Sequence, residues 1–472
     1  MASQPSGTSE SSLPAAIPAV DIDAAYAAEL EFLYSRLNYE RVPERARSLG
    51  DFRLERMREL LARIGDPQYA IPCIHITGSK GKGSVATMVA RILEDAGLRV
   101  GLFTSPHLID YAERFTINGS LPQPKVLLPL MLQLRDITTE MDAHSPHGGP
   151  TFFELTTALG WLLFLQQQVD YVVLEVGLGG RLDSTNICAP LVTAVTSISF
   201  DHTRLLGETL EKIASEKAGI IKSHVPIISG ANDVSARQAI AQKAAMKAAP
   251  LRQLGEQFEI TAIKQRTNTE TLLPFPLLSV AGSTGRWDNI EVGMPGNHQA
   301  TNASLALAIL VELRTAGLRI PDTAVRSGLK RAQVGCRIEL LSTEPLYIVD
   351  AAHNVASLQA LIDTLKEVGA ANRRVVFAVS RDKDAEKMLE TLNSFATEVI
   401  LTQYVKNPRS VPVTELEGMA RRSLTCRWSS HANPLTAVAE ALKQSGPNDL
   451  VVGTGSLFLA AELKESFLAA SH

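Results

Sequence analysis

The sequence has few cysteines and lacks any long hydrophobic run. Its four cysteines, Cys73, Cys188, Cys336 and Cys426, are far apart, so they form none of the close pairs that are typical of zinc sites. No apolar run approaches the roughly 20 residues that a membrane-spanning helix requires. We therefore expect reduced thiols, no zinc and no membrane span, as in a cytoplasmic protein.

An excess of charge of either sign is also missing. The 472 residues carry a formal net charge of -4, which argues against a nucleic-acid-binding surface as the main function. The segment 1–20 is rich in Ser, Pro and Ala but lacks the basic and apolar regions of a signal peptide. We predict a disordered tail there, followed by at least two globular domains.

A glycine-rich stretch is the feature around which the rest of the chain is organised. The apolar run 71–76 predicts a buried strand, and apolar residues at helical spacing after Lys82 predict a helix. Between them lies Gly78-Ser79-Lys80-Gly81-Lys82-Gly83-Ser84. Backbone N–H groups of such a loop, together with the helix N-terminus, bind phosphate. Lys82 is placed to reach terminal phosphates and the Ser84 hydroxyl to bind Mg²⁺.

The loop departs from the general phosphate-binding pattern. That pattern has Ser or Thr directly after the Lys, whereas Gly83 stands between Lys82 and Ser84. Ile76 occupies the position of the expected upstream glycine. A glycine-rich strand-to-helix connection with solvated lysines is the alternative at this point.

Polar residues follow three further predicted strands. Glu175 ends the strand 170–175, Asp201-His202 follow the strand 193–198, and Asp350 to Asn354 follow a strand that ends at Val349. The carboxyl ends of parallel strands face the ligand in open α/β sheets. Together with the glycine-rich loop, these residues predict an Mg²⁺-nucleotide site between two domains that close over a substrate.

The element pattern predicts an α/β protein. We expect an N-terminal ATPase-like domain with a parallel sheet over 21–333 and a smaller Rossmann-like domain over 334–472. Helices are predicted over 22–47 and 51–64, and a small β-element over 261–292. The basic stretch 320–335 is predicted to be irregular after a short helix, and we place the boundary between the two domains there.

The motifs make the chain resemble folylpolyglutamate synthase and dihydrofolate synthase, which belong to the Mur-ligase superfamily of ATP-dependent amide ligases. In chain order they are Thr77 to Ser84, Thr104-Ser105-Pro106-His107-Leu108, Glu175 to Asn186, Asp201-His202, Glu216 to Ile220, Asp350 to Asn354, Asp382-Lys383-Asp384 and Gly455-Ser456. The glycine at position 83 is typical of the folate branch of this superfamily. Ser79-Lys80 differs from the usual Thr-Asn, and Gly335-Cys336 before Arg337 differs from the usual Pro-Gly or Pro-Ala.

The resemblance implies ATP-driven addition of L-glutamate to a folate or dihydropteroate carboxylate through an acyl phosphate. It implies tetrahydrofolate synthase activity, with dihydrofolate synthase activity left open, two Mg²⁺ ions, no haem or flavin, and a monomer. The implied roles are catalysis for Lys82, His202 and Lys217; ATP binding for Gly78 to Ser84, Asn302, Arg337, Asp350 and His353; metal binding for Ser84, Glu175, His202 and a carbamylated Lys217; and substrate binding for Ser105, Pro106, His107, Phe153 and Glu154.

Three other classes of protein are alternatives to this interpretation. A P-loop kinase or NTPase would use the same loop with a hydroxyl, carboxylate or water acceptor. A peptidoglycan Mur ligase would need a complete UDP-binding domain before the loop, and the segment 1–71 is too short for one. A non-catalytic nucleotide-binding protein would not need Lys82, Ser84, Glu175 and His202 together.

Overall fold

The computed structural model describes residues 21–40, 52–266, 272–283 and 285–470. The tail predicted over 1–20 lies outside these residues, as does the end of the helix predicted over 22–47. The α-helices are α1 (Ile22–Ser35), α2 (Leu54–Arg63), α3 (Lys82–Asp95), α4 (Pro124–His144), α5 (Phe152–Gln166), α6 (Thr203–Leu206), α7 (Leu210–Lys217), α8 (Val234–Met246), α9 (Asn297–Thr315), α10 (Asp322–Arg331), α11 (Val355–Leu365), α12 (Ala385–Leu392), α13 (Val413–Ser423), α14 (Pro434–Lys443) and α15 (Leu457–Ala470).

The strands form three sheets. They are β1 (Cys73–Thr77), β2 (Val100–Phe103), β3 (Phe115–Ile117), β4 (Tyr171–Glu175), β5 (Pro190–Val195), β6 (Ile227–Ser229), β7 (Leu251–Gln253), β8 (Phe258–Gln265), β9 (Pro276–Gly282), β10 (Gly285–Glu291), β11 (Glu339–Thr343), β12 (Leu346–Val349), β13 (Arg373–Phe377), β14 (Glu398–Leu401), β15 (Arg427–Ser430) and β16 (Leu450–Thr454).

The first sheet has seven strands in the order β3-β2-β4-β1-β5-β6-β7, parallel except for β3. From β1 the chain passes to β2 and β3 on one side, returns to β4 beside β1, and then crosses to β5, β6 and β7 on the other side. The carboxyl end of β1 is therefore a topological switch point, where open α/β sheets bind ligands. The β1 register pairs Ile76 with Glu175 of β4 and with Ala194 of β5, so both neighbouring strands end beside the glycine-rich loop.

Two apolar layers cover this sheet. Successive side chains of β1 lie on opposite faces of the sheet. Ile74 and Ile76 pack with α3, α9 and α10, whereas Cys73 packs with α2, α4 and α5. The antiparallel sheet β10-β9-β8 joins the first of these layers. It is the small β-element that the sequence predicts.

The third sheet belongs to the C-terminal part, with the order β11-β12-β16-β13-β14-β15 and an antiparallel edge strand β11. The chain leaves β12 for β13 and returns through β16 between them, so Asp350, at the end of β12, lies at a second switch point. The α/β class predicted from the sequence is confirmed. None of the helices in the described ranges combines the length and the apolarity needed to cross a bilayer.

Several local predictions need correction. The edge strands β3, β7, β11 and β15 are not predicted from the sequence, and β5 covers 190–195 rather than 193–198. In the stretch 320–335 the predicted short helix is α10, whose apolar face packs on α3, and the residues after it are irregular, as predicted. The proposed boundary between 333 and 334 lies between α10 and β11, and stays a prediction.

Candidate active site

The glycine-rich loop turns sharply into α3. Gly81 caps the helix with a φ of 82°, and a Cβ atom on it would lie 2.3 Å from the Asn302 side-chain oxygen. The side chain of Asn302 in α9 is thus packed directly against the loop, and its Nδ2 donates to Gln299. The loop is fixed on its other side by Ser79, whose Oγ donates to the Ser199 carbonyl over 3.0 Å.

Two lysine side chains meet at one carbonyl of this loop. Lys82 Nζ and Lys217 Nζ donate to the Gly78 oxygen over 3.2 and 2.9 Å. Lys217, at the end of α7, is only 4% exposed. Burial, reinforced by the charge of Lys82, lowers the pKa of Lys217 to about 7. Close to neutral pH a large fraction of its amine is therefore uncharged.

Lys80 connects the loop to the C-terminal part of the chain. His353 Nδ1 lies 2.9 Å from the Ala351 carbonyl, to which it must donate, so the neutral ring accepts at Nε2. Lys80 Nζ donates to that Nε2 over 3.3 Å and lies 4.0 Å from Asp201 Oδ2. Burial lowers the pKa of Lys80 to about 8, against the opposing charge of Asp201. The other cations that act on Lys80 are Lys82, Arg337 and Lys383.

Arg337 lies between two residues with left-handed backbone. Cys336 has a φ of 54° and Ile338 a φ of 48°, which is strongly disfavoured for a β-branched residue. The Ile338 amide donates to Asp350 Oδ2 over 2.9 Å, and the Ala352 amide donates to the other oxygen of that carboxylate. Such strain is kept where surrounding structure compensates it, typically at binding sites. Within the described ranges Arg337 makes no hydrogen bond or ion pair.

Glu175 lies beside the first turn of α3. A Cβ atom on Gly83 would be 3.4 Å from Glu175 Oε2, which also accepts from the Ser105 amide over 3.2 Å. Burial raises the pKa of Glu175, opposed mainly by the charge of Lys82. The ionised form of a buried carboxylate is stabilised by a nearby cation, because burial of an unpaired charge is unfavourable.

The predicted metal ligands Ser84, Glu175, His202 and Lys217 do not form a complete metal site by themselves. Among the described residues, no three His, Cys, Asp or Glu side chains are close enough to hold a metal ion by themselves. His202 is about half exposed, with its Nε2 3.8 Å from Asp201 Oδ1. Ser84 is buried in the first turn of α3. This arrangement fits Mg²⁺, which is usually held by one or two carboxylates together with phosphate oxygens and water.

The loop 104–108 and helix α5 line the other side of Glu175. The peptide between Ser105 and Pro106 is cis. The ring of Phe153 lies so close to Gly177 that a Cβ there would be 2.4 Å from Phe153 Cζ. His107 Nδ1 accepts from Arg114 Nε over 2.7 Å. These contacts bring the predicted substrate residues to the same edge of the sheet as the glycine-rich loop.

Glu154 has a structural function in this region. Its Oε2 accepts from the backbone and hydroxyl of Thr151 over 2.8 and 3.0 Å, which forms a capping box for α5. The same oxygen accepts from Arg56 over 2.7 Å. The geometry thus favours Phe153 over Glu154 as a substrate contact.

Comparison with known proteins gives two family models along the chain. The Mur ligase middle domain matches residues 76–310, and the Mur ligase, glutamate ligase domain matches residues 336–457. The dihydrofolate synthase/folylpolyglutamate synthase of Bacillus subtilis (strain 168) is 34% identical over 415 residues, which cover 87% of this chain and 94% of that protein. The chain belongs to the folylpolyglutamate synthase/dihydrofolate synthase family.

Solved structures of this family agree with the fold. A Mycobacterium tuberculosis folylpolyglutamate synthase complexed with ADP has a TM-score of 0.84 at 28% identity, and covers 95% of this chain and 99% of its own. An Escherichia coli family member in complex with DHPP and ADP has a TM-score of 0.81 at 28% identity, and covers 95% of this chain and 98% of its own. The resemblance inferred from the motifs is confirmed.

Sequence reasoning missed several residues of this candidate ligase site. Arg114 and Arg56 each hold a predicted substrate residue, and Glu40 pairs with Arg114 across 74 positions. Lys383 acts electrostatically on Lys80 and on His353. The sequence carries no local signal for these partners, although Lys383 belongs to a motif that the resemblance singled out.

Gly81→Ala is expected to weaken ATP binding about tenfold or more. The new Cβ would force Asn302 away, and the left-handed backbone adds about 1–2 kcal/mol of strain. Gly65→Ala is the matched control, because Gly65 has a φ of 85° with nothing within 4 Å of the added atom. Calorimetric titration with ATP measures both variants. Equal ATP affinity in Gly81→Ala and the wild type would contradict the packing of Asn302 on this loop.

Proposed function

We propose that this chain is an ATP-dependent ligase that attaches L-glutamate to the carboxylate of a folate-type acceptor through an acyl phosphate. The observation that carries the proposal is the convergence of a phosphate-binding loop, a buried strand-end carboxylate and several cations at one switch point, in a chain that belongs to this family. The names of the Bacillus subtilis and Escherichia coli relatives, which join both synthases, support dihydropteroate and tetrahydrofolate as acceptors.

The first step requires two anions to meet. A carboxylate oxygen of the acceptor attacks the γ-phosphorus of ATP, the bond to the bridging oxygen breaks, and ADP leaves. Lys82 and Lys80 on the loop, and Arg337 from the C-terminal side, are placed to offset the charge of the triphosphate. Mg²⁺, when bound, would add Lewis-acid stabilisation of the transferring phosphoryl group. Ser84, Glu175 and His202 are the residues proposed to hold it.

The second step forms the amide. The amine of glutamate attacks the acyl carbon, the bond from that carbon to the phosphorylated oxygen breaks, and phosphate and one proton leave. The C-terminal part supplies Lys383 and His353 near the loop, so both domains contribute residues to the site. Closure of the two domains over the substrate would exclude water from the reactive acyl phosphate. A cytoplasmic monomer stays our prediction.

The test is ADP release and product mass with each acceptor. We expect ADP release that requires both glutamate and either dihydropteroate or tetrahydrofolate, and a product heavier by one glutamyl unit. ADP release that ignores both cosubstrates, without a glutamylated product, would contradict the proposal and favour a kinase or NTPase instead.

A further inference from the structure

Glu40 contacts both parts of the chain with different atoms. Its two carboxylate oxygens accept from Arg114 Nη1 and Nη2 over 3.1 and 2.5 Å. Its backbone oxygen accepts from Arg409 Nη1 over 3.3 Å. Glu40 therefore lies between an arginine of the N-terminal part and an arginine of the C-terminal part.

On the N-terminal side, the ion pair of Glu40 and Arg114 contacts the loop 104–108, called here the substrate loop because it contains three of the proposed substrate residues. The Arg114 side chain is 1% exposed and lies over the ring of Phe152 at 5.1 Å. Burial lowers the pKa of Arg114, but the charge and the hydrogen bonds of Glu40, together with Tyr111 and Tyr34, raise this pKa on balance. The remaining Nε–H of this buried cation donates to His107 Nδ1. Glu40 thus sets the orientation of Arg114, and Arg114 sets that of His107.

On the C-terminal side, Arg409 is connected to Lys383 through the carboxylate of Asp382. Arg409 Nη2 pairs with Asp382 Oδ1 over 2.7 Å, and the other oxygen of Asp382 pairs with Lys383 over 3.0 Å. The substrate loop also touches this part directly, because Leu108 packs against the apolar cluster of Tyr347 and Val349. The loop 104–108 is therefore held by both parts of the chain.

We propose that Arg409 is a positioning residue for the folate-type acceptor and acts through Glu40 and Arg114 on His107. When the C-terminal part is docked, Arg409 fixes the Glu40 backbone, so the buried ion pair and His107 adopt the orientation that receives the acceptor. This inference rests on the proposed function. It differs from direct binding of glutamate by Arg409, which is the other chemistry open to an arginine beside Lys383.

The two ends of this connection can be broken separately. Arg409→Gln removes the contact with the Glu40 backbone, and Glu40→Gln keeps that contact but removes the charge that holds Arg114. For each variant we expect the KM of the acceptor to rise about tenfold, with the KM values of glutamate and ATP within about twofold of the wild type. Arg422→Gln is the matched control, since Arg422 forms an exposed ion pair with Glu386 in the same part of the chain.

The double variant tests whether the effects share one path. We expect the double variant, Arg409→Gln with Glu40→Gln, to raise the acceptor KM about as much as either change alone. Both changes act on the same side chain, His107, through Arg114. Thermal unfolding and ATP affinity check the fold of each variant. Arg409→Lys replaces Arg409→Gln if the latter unfolds, because a single ammonium group cannot reproduce the two-sided contact of Arg409 with Glu40 and Asp382. A raised KM for glutamate, multiplied single effects, or unchanged acceptor KM values would each overturn the inference. Failure of the wild type to glutamylate any acceptor would instead overturn the proposed function.

Discussion

Glu175→Gln is expected to lower turnover by about a thousandfold while the protein stays folded. The change removes one charge at nearly constant shape, and a metal that stabilises transition-state charge contributes several kcal/mol. Glutamine can still accept from the Ser105 amide, which currently donates to Glu175 Oε2. Because burial already raises the pKa of Glu175, the neutral amide is also tolerated at this position without a folding defect.

The control for this variant lies at the other end of the same strand. Asp170→Asn makes the same chemical change just before β4, where Asp170 accepts from the Arg99 amide, far from the glycine-rich loop. Steady-state turnover at saturating Mg²⁺ measures both variants. Turnover of Glu175→Gln close to that of the wild type would make Glu175 a structural residue.

Lys217→Ala is expected to lose most of the activity, because we propose that Lys217 is carbamylated in the working enzyme. The Lys217 ammonium group, held at the Gly78 carbonyl beside Lys82, would repel a metal ion, whereas a carbamate on Lys217 would bind it. Carbamylation requires the neutral amine, and the pKa of about 7 leaves Lys217 mostly uncharged above that pH. Activity supported by bicarbonate should therefore rise as the pH increases through about 7.

Lys212→Ala is the matched control, since Lys212 is exposed on the same helix. Acetate should restore part of the activity of Lys217→Ala by filling the vacated space, and should not affect Lys212→Ala. Full activity of Lys217→Ala, together with a wild type that does not respond to removal of bicarbonate, would show that Lys217 is an ordinary cation.

Local patterns were enough to predict the centre of the site. The glycine-rich loop follows β1, which is buried throughout, and Glu175 ends β4, which is buried except at Tyr171. Such apolar runs are read directly from sequence. The switch point then follows from the alternation of strands and helices. The motif resemblance added Asn302 and Arg337, which spacing alone could not bring to the loop.

Long-range partners and short strands could not be predicted in this way. Lys80 and His353 are 273 positions apart, and Arg409 and Glu40 are 369 apart, so only the tertiary fold pairs them. The edge strand β15, Arg-Trp-Ser-Ser, has no apolar alternation and no fully buried residue, so its sequence gives no strand signal. The capping box of Thr151 and Glu154 is a local sequence signature, whereas the ion pair of Glu154 with Arg56 joins positions 98 apart and is set by the tertiary fold.

The acyl-phosphate step is the central claim of this account, and isotope transfer tests it most directly. The acceptor is prepared with ¹⁸O in the reacting carboxylate, and the inorganic phosphate is analysed by mass spectrometry after turnover with ATP and glutamate. We predict that each phosphate released with a glutamylated product carries one ¹⁸O atom from the acceptor. Phosphate without the label, released at the same rate as the glutamylated product, would contradict the account.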